Sequence, residues 1–205
     1  GVPLRGSLLL LTFLTLLFNS MAAFALSKYK FAGRSGVFLL VIATLMVPPA
    51  IVLVPNFLVV SELGLLNSLW GVIWPAVATP TGVFLLRQYM LTIPDELLDA
   101  ARMDHASEWR IYWRIVLPLS APALAVLAIF SVMWRWNDFL WPLIVTNSVN
   151  TRPLTVGLAV FASTDQGIDW SVITAATLMT SGPLLAGFLL FQRQFVQSFM
   201  RSGIR

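Results

Sequence analysis

Apolar residues in this chain run in blocks too long for the elements of a soluble core, and the polar intervals between them are short. Five blocks extend roughly from Ser7 to Leu26, Gly36 to Val60, Leu69 to Tyr89, Ala121 to Val145 and Trp170 to Phe191. Each meets the ~20 mostly apolar residues that a helix needs to cross a bilayer, whose hydrocarbon offers backbone groups no partner. Helices buried in a large soluble core are the alternative, but the intervals are too short to supply covering layers. The pattern therefore predicts an all-α polytopic membrane protein with five transmembrane helices. Two blocks are interrupted, the second by Pro48, Pro49 and Pro55, the third by Pro75, Pro80 and Gly82. Each proline frees a carbonyl that a neighbour or cavity water must satisfy. Single prolines are ordinary in membrane helices, whereas a cluster of broken helices fits a transport pathway.

Basic residues predict the orientation. Lys28, Lys30 and Arg34 follow the first block, Arg87, Arg102, Arg110 and Arg114 surround the third interval, and Arg193, Arg201 and Arg205 lie in the tail. The alternate side holds Arg5 and Arg152. By the positive-inside rule the first set is cytoplasmic, so the chain runs from an outer N-terminus to a cytoplasmic C-terminus. The odd span count and the start at Gly1 carry the expectation of an N-terminally truncated fragment with six helices in full length. Trp70, Trp74, Trp141 and Trp170 fall near the outer ends, where an aromatic belt is expected.

Composition agrees with this placement and narrows the chemistry. Hydrophobic residues make up 58% and charged residues 11%, with a mean hydropathy of +0.84; soluble domains carry about a quarter charged residues. The net charge of +4 is spread over loops and never gathers on a soluble face, so no nucleic-acid partner is expected. Without cysteine, and with His105 as the single histidine, thiolate sites, disulfides and a histidine metal cage are excluded, and no metal site is expected. No GxxxxGK[ST] phosphate loop occurs, so any ATP is handled by another chain.

One polar stretch lies between two membrane-length blocks: "TIPDELLDAARMDHASEWRIYWRIVLPLSAPALA". Pro94 suits a first helical turn, with Thr92 as a cap and Asp95 and Glu96 at the positive end of the helix dipole. Leu97, Leu98 and Ala101 recur on one side, and Asp95, Asp99 and Arg102 on the other. Ser107 is placed to cap a second helix with an apolar stripe of Trp109, Trp113 and Val116 and a basic one of Arg110 and Arg114. Pro118 and Pro122 close the element. On its residues alone this hairpin is either an interfacial element on lipid headgroups or a contact for a cytoplasmic partner.

The hairpin resembles the EAA loop of ABC-importer permeases, a Glu-Ala-Ala run followed by a glycine and, about ten residues later, Ile-x-Leu-Pro. Its counterparts here are Asp99, Ala100 and Ala101, then His105, then Ile115, Leu117 and Pro118. Further blocks, "LSKYKFAGR", "LGLLNSLWGVIWP", "FLLRQYMLTIPDEL", "WNDFLWPLIV" and "FQRQFVQSFMRSGIR", are similar to a maltose-type carbohydrate permease and cover the chain nearly end to end. The resemblance implies a single permease domain over residues 1–205, with the coupling loop at 94–118. It implies that Asp99, Ala100, Ala101, Asp104, His105, Ile115, Leu117 and Pro118 form the contact with two cytoplasmic ATPase subunits, which carry ATP and Mg. A second permease subunit, an extracellular solute-binding protein and the bilayer of a prokaryotic cell are its other implied partners. No cofactor and no catalytic residue are implied for this chain. Aspartate replaces the family's glutamate at Asp99, and His105 replaces a glycine, so His105 is expected to take a left-handed backbone conformation.

For the solute pathway the candidates are Asn137 and Asp138 in "WRWNDFLW", since polar groups within a membrane are functional candidates; an Arg135 to Asp138 pair holding the helix end is the structural alternative. Arg135 departs from the small residue of the family. The outer loop from Thr146 to Asp169, with Thr164, Asp165, Gln166 and Gly167, resembles the part that reaches toward the binding protein. A stand-alone secondary transporter would need inverted repeats and ion ligands, a membrane enzyme would need a catalytic constellation, and an ABC permease for a non-sugar solute would lack the "WNDFLWPL" block.

Overall fold

The computed structural model describes residues 4–146 and individual positions between 170 and 189. The outer loop from 147 to 169, most of the fifth block and the basic tail with Arg193, Arg201 and Arg205 lie outside the described residues, as does Arg152. Among the described residues every element is helical. The order is α1 (Leu4–Lys28), α2 (Arg34–Leu45), α3 (Pro49–Glu62), α4 (Leu69–Val77), α5 (Pro80–Leu91), α6 (Asp95–Met103), α7 (Glu108–Ile111), a π-helical turn (Tyr112–Val116), α8 (Leu117–Leu119), α9 (Ala121–Trp136) and α10 (Leu140–Val145).

Among the described residues, Leu8–Lys28 is the one helix long and apolar enough to cross a membrane unaided. Three further pairs reach that length only as bent spans: α2 with α3 at 106°, α4 with α5 at 42°, and Glu108–Leu119 with α9 at 76°. The apolar blocks are thus present as helices, while bends replace the straight rods that block length alone predicts. The prolines explain where they fall. Pro48 precedes α3 and Pro49 opens it, and Pro80 opens α5 behind the Thr79 cap, whose hydroxyl accepts from the Gly82 amide at 3.2 Å. Pro55 and Pro75 are instead carried inside α3 and α4, so these two do not break their spans as expected. The fourth block is interrupted at residues 137–139, between α9 and α10.

Packing centres on α1, which lies against α4, α5 and α9. The main core joins Ala23 and Phe24 of α1 to Leu86 and Met90 of α5, Leu98 of α6, Ile111, Tyr112 and Val116 of the hairpin, and Ala123 and Leu127 of α9. The hairpin therefore shares one core with α1, α5 and α9. By contrast α2 buries no side chain, and Leu39, Leu40, Met46, Ile51 and Val54 stand exposed on α2, α3 and the bend between them. Such an apolar exterior suits hydrocarbon as solvent.

Three local expectations are corrected. Thr92 closes α5, its hydroxyl donating to the Tyr89 carbonyl at 2.7 Å, and does not cap α6, which begins after Pro94 with no side-chain cap. Trp141 is buried and does not join Trp70 and Trp74, both exposed, in an outer belt. The Trp109–Trp113–Val116 stripe does not form as a unit: Ile111, Tyr112 and Val116 face the core, and the tryptophans lie about 100° round the helix, exposed. The π turn sits just ahead of Pro118, whose missing N–H interrupts the ladder there, and the Leu117 amide reaches back to the Tyr112 carbonyl.

Candidate functional site

The bent pair of α4 and α5 is the first place where tertiary packing supplies what the sequence leaves open. A regular helix would pair the Gly71 carbonyl with the amide of residue 75, which is a proline. The indole Nε1 of Trp141, from α10, donates to that carbonyl at 3.2 Å. The Ala76 carbonyl loses its partner to Pro80 in the same way, and Arg135 of α9 donates to it through Nη2 at 3.3 Å. At the break itself, Asn19 of α1 donates through Nδ2 to the Val77 carbonyl at 3.1 Å and accepts the Thr79 amide on Oδ1 at 3.0 Å. Three other helices thus satisfy the backbone of one interrupted helix pair. A Cβ on Gly82 would stand 2.6 Å from the Thr79 hydroxyl and 3.0 Å from Asn19, so the joint is closed by close approach as well.

Arg135 is also paired with Asp138 at 3.2 Å, an (i, i+3) contact with both side chains about four-fifths buried. Asp138 therefore neutralises the arginine that tends the Ala76 carbonyl. Asn137, exposed, donates from Nδ2 to the Met133 carbonyl at 2.8 Å. Both polar candidates also line an open cleft of about 520 Å³ whose wall is Phe130, Met133, Trp134 and Phe139.

The hairpin of α6 and α7 forms the second assembly. Its turn is made by His105 at φ 55°, the left-handed conformation that the missing glycine would have supplied. Ser107 caps α7 as expected, accepting from the Arg110 amide at 3.3 Å. Arg102 bridges the two arms, donating to Asp99 at 2.9 Å and to Glu108 at 2.9 Å and 3.3 Å. Tyr29, in the interval after α1, donates to the same Glu108 carboxylate at 2.7 Å, and Lys28 meets Asp95 at 2.7 Å and the Ile93 carbonyl at 2.6 Å. These contacts lock the hairpin to the end of α1. The Arg102 bonds hold the Glu108 carboxyl below its usual range, and Lys28 does the same for Asp95. Burial, then the Glu108 bond, push the Tyr29 hydroxyl up to about 12, and the Glu108 bond, ahead of that to Asp99, raises Arg102 further.

On this mount the motif residues divide. Asp99, Ala100, Asp104 and His105 are exposed, together with Met103 at 80%. Ala101, Ile115 and Leu117 are partly buried against the main core, and Pro118 is exposed. Sequence reasoning did not single out Asn19, Tyr29 or Glu108, and it read Lys28 for orientation alone. Asn19 had a readable signal, a lone amide inside an apolar block at the spacing of Thr12 and Thr15 on one helical face. The Tyr29 and Lys28 contacts span 79 and 67 residues, respectively, and had none.

Residues 8–201 match the family model described as a binding-protein-dependent transport system inner membrane component. The chain is 42% identical over 94% of its length to the arabinooligosaccharides transport system permease protein AraQ of Halalkalibacterium halodurans, covering 68% of that protein. It is 36% identical over 90% of its length to the sn-glycerol-3-phosphate transport system permease protein UgpE of Yersinia enterocolitica, covering 66% of it. The chain thus spans about two thirds of these curated relatives. Its fold is similar to a chain from the crystal structure of a bacterial ABC transporter involved in the import of the acidic polysaccharide alginate, with a TM-score of 0.81, 25% identity, and coverage of 93% of this chain and 73% of that one.

Proposed function

The chain belongs to the family of binding-protein-dependent transport system inner membrane components, and we propose that it is the permease subunit of an ATP-driven ABC importer for a sugar or sugar-like solute. The names of its relatives, an arabinooligosaccharide permease and a glycerol phosphate permease, support that solute class. In this reading an extracellular binding protein delivers the solute, a second permease of different sequence completes the pathway, and two cytoplasmic ATPases bind ATP and Mg. The protein lies in the cytoplasmic membrane of a prokaryote with its C-terminus inside. It performs no covalent chemistry.

The observation that carries the reading is the mounting of the hairpin: an exposed face of Asp99, Ala100, Asp104 and His105 on an element whose opposite face is part of the core of the spans. Ala100 permits close seating in an ATPase cleft, and the two aspartates offer charge to its polar groups. Closure of the ATPases on ATP would move residues 94–118 as a lever and drive a rigid-body change between two packed states. Asn137, exposed at the cleft beside Trp134, is the solute-facing group of this subunit in that scheme, with Asp138 next to it held by Arg135.

The chain has no cysteine of its own, so a single Ala100→Cys substitution gives a clean cross-linking test in inside-out vesicles. Capture of a nucleotide-binding subunit, with a yield that changes on adding ATP, is expected. Capture of lipid alone, or of nothing by a thiol shown to be reactive, would set the importer reading aside in favour of a stand-alone carrier.

A further inference from the structure

The helix Glu108–Leu119 keeps two features that the hairpin's mount does not use. Trp109 and Trp113 are 58% and 49% exposed, with ring centroids 6.3 Å apart on one flank. Arg110 and Arg114 are exposed one step further round, and among the described residues their side chains enter no hydrogen bond or ion pair. Glu108 is the only acid of this helix, and its carboxylate is already taken by Arg102 and Tyr29. The outer side of the helix is therefore aromatic and cationic without compensation.

Its direction says what meets that side. The helix is bent by 76° from α9, the span that follows it. When α9 crosses the bilayer, Glu108–Leu119 lies nearly along the interface, at the end where basic residues collect. Tyr112 pins it there, buried, with its hydroxyl 2.7 Å from Ser20 of α1. Indole rings prefer the headgroup level, and arginines beside them meet lipid phosphates.

We propose that the outer side of Glu108–Leu119 binds anionic phospholipid headgroups of the cytoplasmic leaflet, Trp109 and Trp113 entering the headgroup layer and Arg110 and Arg114 contacting phosphate. The charge complementarity, the exposed indole pair and the bend each point to this occupant. The second arm of the hairpin then rests on lipid while the first arm, with Asp99 and Ala100, stays open to the cytoplasm.

The test uses the intact protein in nanodiscs holding brominated phosphatidylglycerol or brominated phosphatidylcholine. The fluorescence lost in a Trp109→Phe/Trp113→Phe variant isolates these two indoles. Their quenching is expected to be stronger with the anionic lipid, and Arg110→Gln/Arg114→Gln is expected to lower that preference by about fivefold per arginine, with an unchanged unfolding profile in detergent. Equal quenching by both lipids would reduce the site to an ordinary aromatic anchor and overturn the proposal, as would no quenching at all. Loss of quenching when an ATPase subunit is added would assign the face to that subunit and overturn it equally. The assay needs neither ATP nor solute, so its failure leaves the importer reading untouched.

Discussion

Replacing Asn19 by leucine removes the clasp at the broken span while keeping the side chain's length. Two backbone groups lose their partner, the Val77 carbonyl at 3.1 Å and the Thr79 amide at 3.0 Å, and Asn19 is fully buried, so no bulk solvent replaces it. Leaving a buried donor or acceptor unsatisfied costs about 1 to 3 kcal/mol each. Inter-helix hydrogen bonds in membranes average about 0.6 kcal/mol because the unfolded chain also finds partners there. Asn19 lies close to Gly82, where an added Cβ would stand 3.0 Å from it, so the bulkier tetrahedral end of leucine has little room and adds to the cost. Two such groups, between the membrane average and the full cost of burial, give an expected loss of about 1 to 6 kcal/mol. The assay is reversible unfolding of the purified protein in mixed micelles of dodecyl maltoside and increasing dodecyl sulfate. Hydrogen exchange should open first at residues 77–82 and leave the hairpin protected. A variant within about 0.5 kcal/mol of the parent, or one whose exchange rises uniformly, would refute the clasp.

The hairpin turn gives a second expectation. His105 sits at φ 55°, where a β-branched residue is strained, so His105→Gly should exceed His105→Val in stability by about 1 to 2 kcal/mol, read in the same unfolding assay. The contacts of the mount predict the pH response of the hairpin. Glu108 and Asp95 have lowered carboxyl pKa values in the fold, so between those values and the ordinary carboxylate range the unfolded chain binds more protons; the stability they contribute is present above the ordinary range and lost as pH falls from it through the lowered folded values. Tyr29 is raised to about 12 from 10.0, so its contribution is complete at neutral pH and lost as pH rises from 10 towards 12. Exchange protection in α6 and α7 should follow this bell, and Tyr29→Phe should weaken the alkaline limb and also make the acid limb shallower, because the Tyr29 hydroxyl is one of the bonds that lower Glu108. The side chains of Asp95 and Glu108 are 75% and 44% exposed, so solvent screening keeps the acid limb shallow.

Much of this protein is decided one segment at a time. Membrane-length apolar blocks, the Ser107 cap, the acidic first turn at Asp95 and Glu96, and the need for a turn-forming residue at His105 follow from residue type and spacing, because each depends on neighbours within one or two helical turns. The "DAARMDH…IVLP" pattern made the family legible for the same reason: it is local. The bends of 42° to 106°, the face on which the hairpin helix is buried, and the partners of the freed carbonyls were decided by tertiary structure. Proline chemistry states that the carbonyls of Gly71 and Ala76 lose their helical donors, but not that Trp141 and Arg135 supply new ones across 70 and 59 residues. Those partners exist only when α1, α9 and α10 pack around α4 and α5, since a hydrogen bond across sequence needs a shared position in space. For the same reason Trp141 left the predicted aromatic belt, and Asn19, an unremarked amide in an apolar block, became the joint of the broken span.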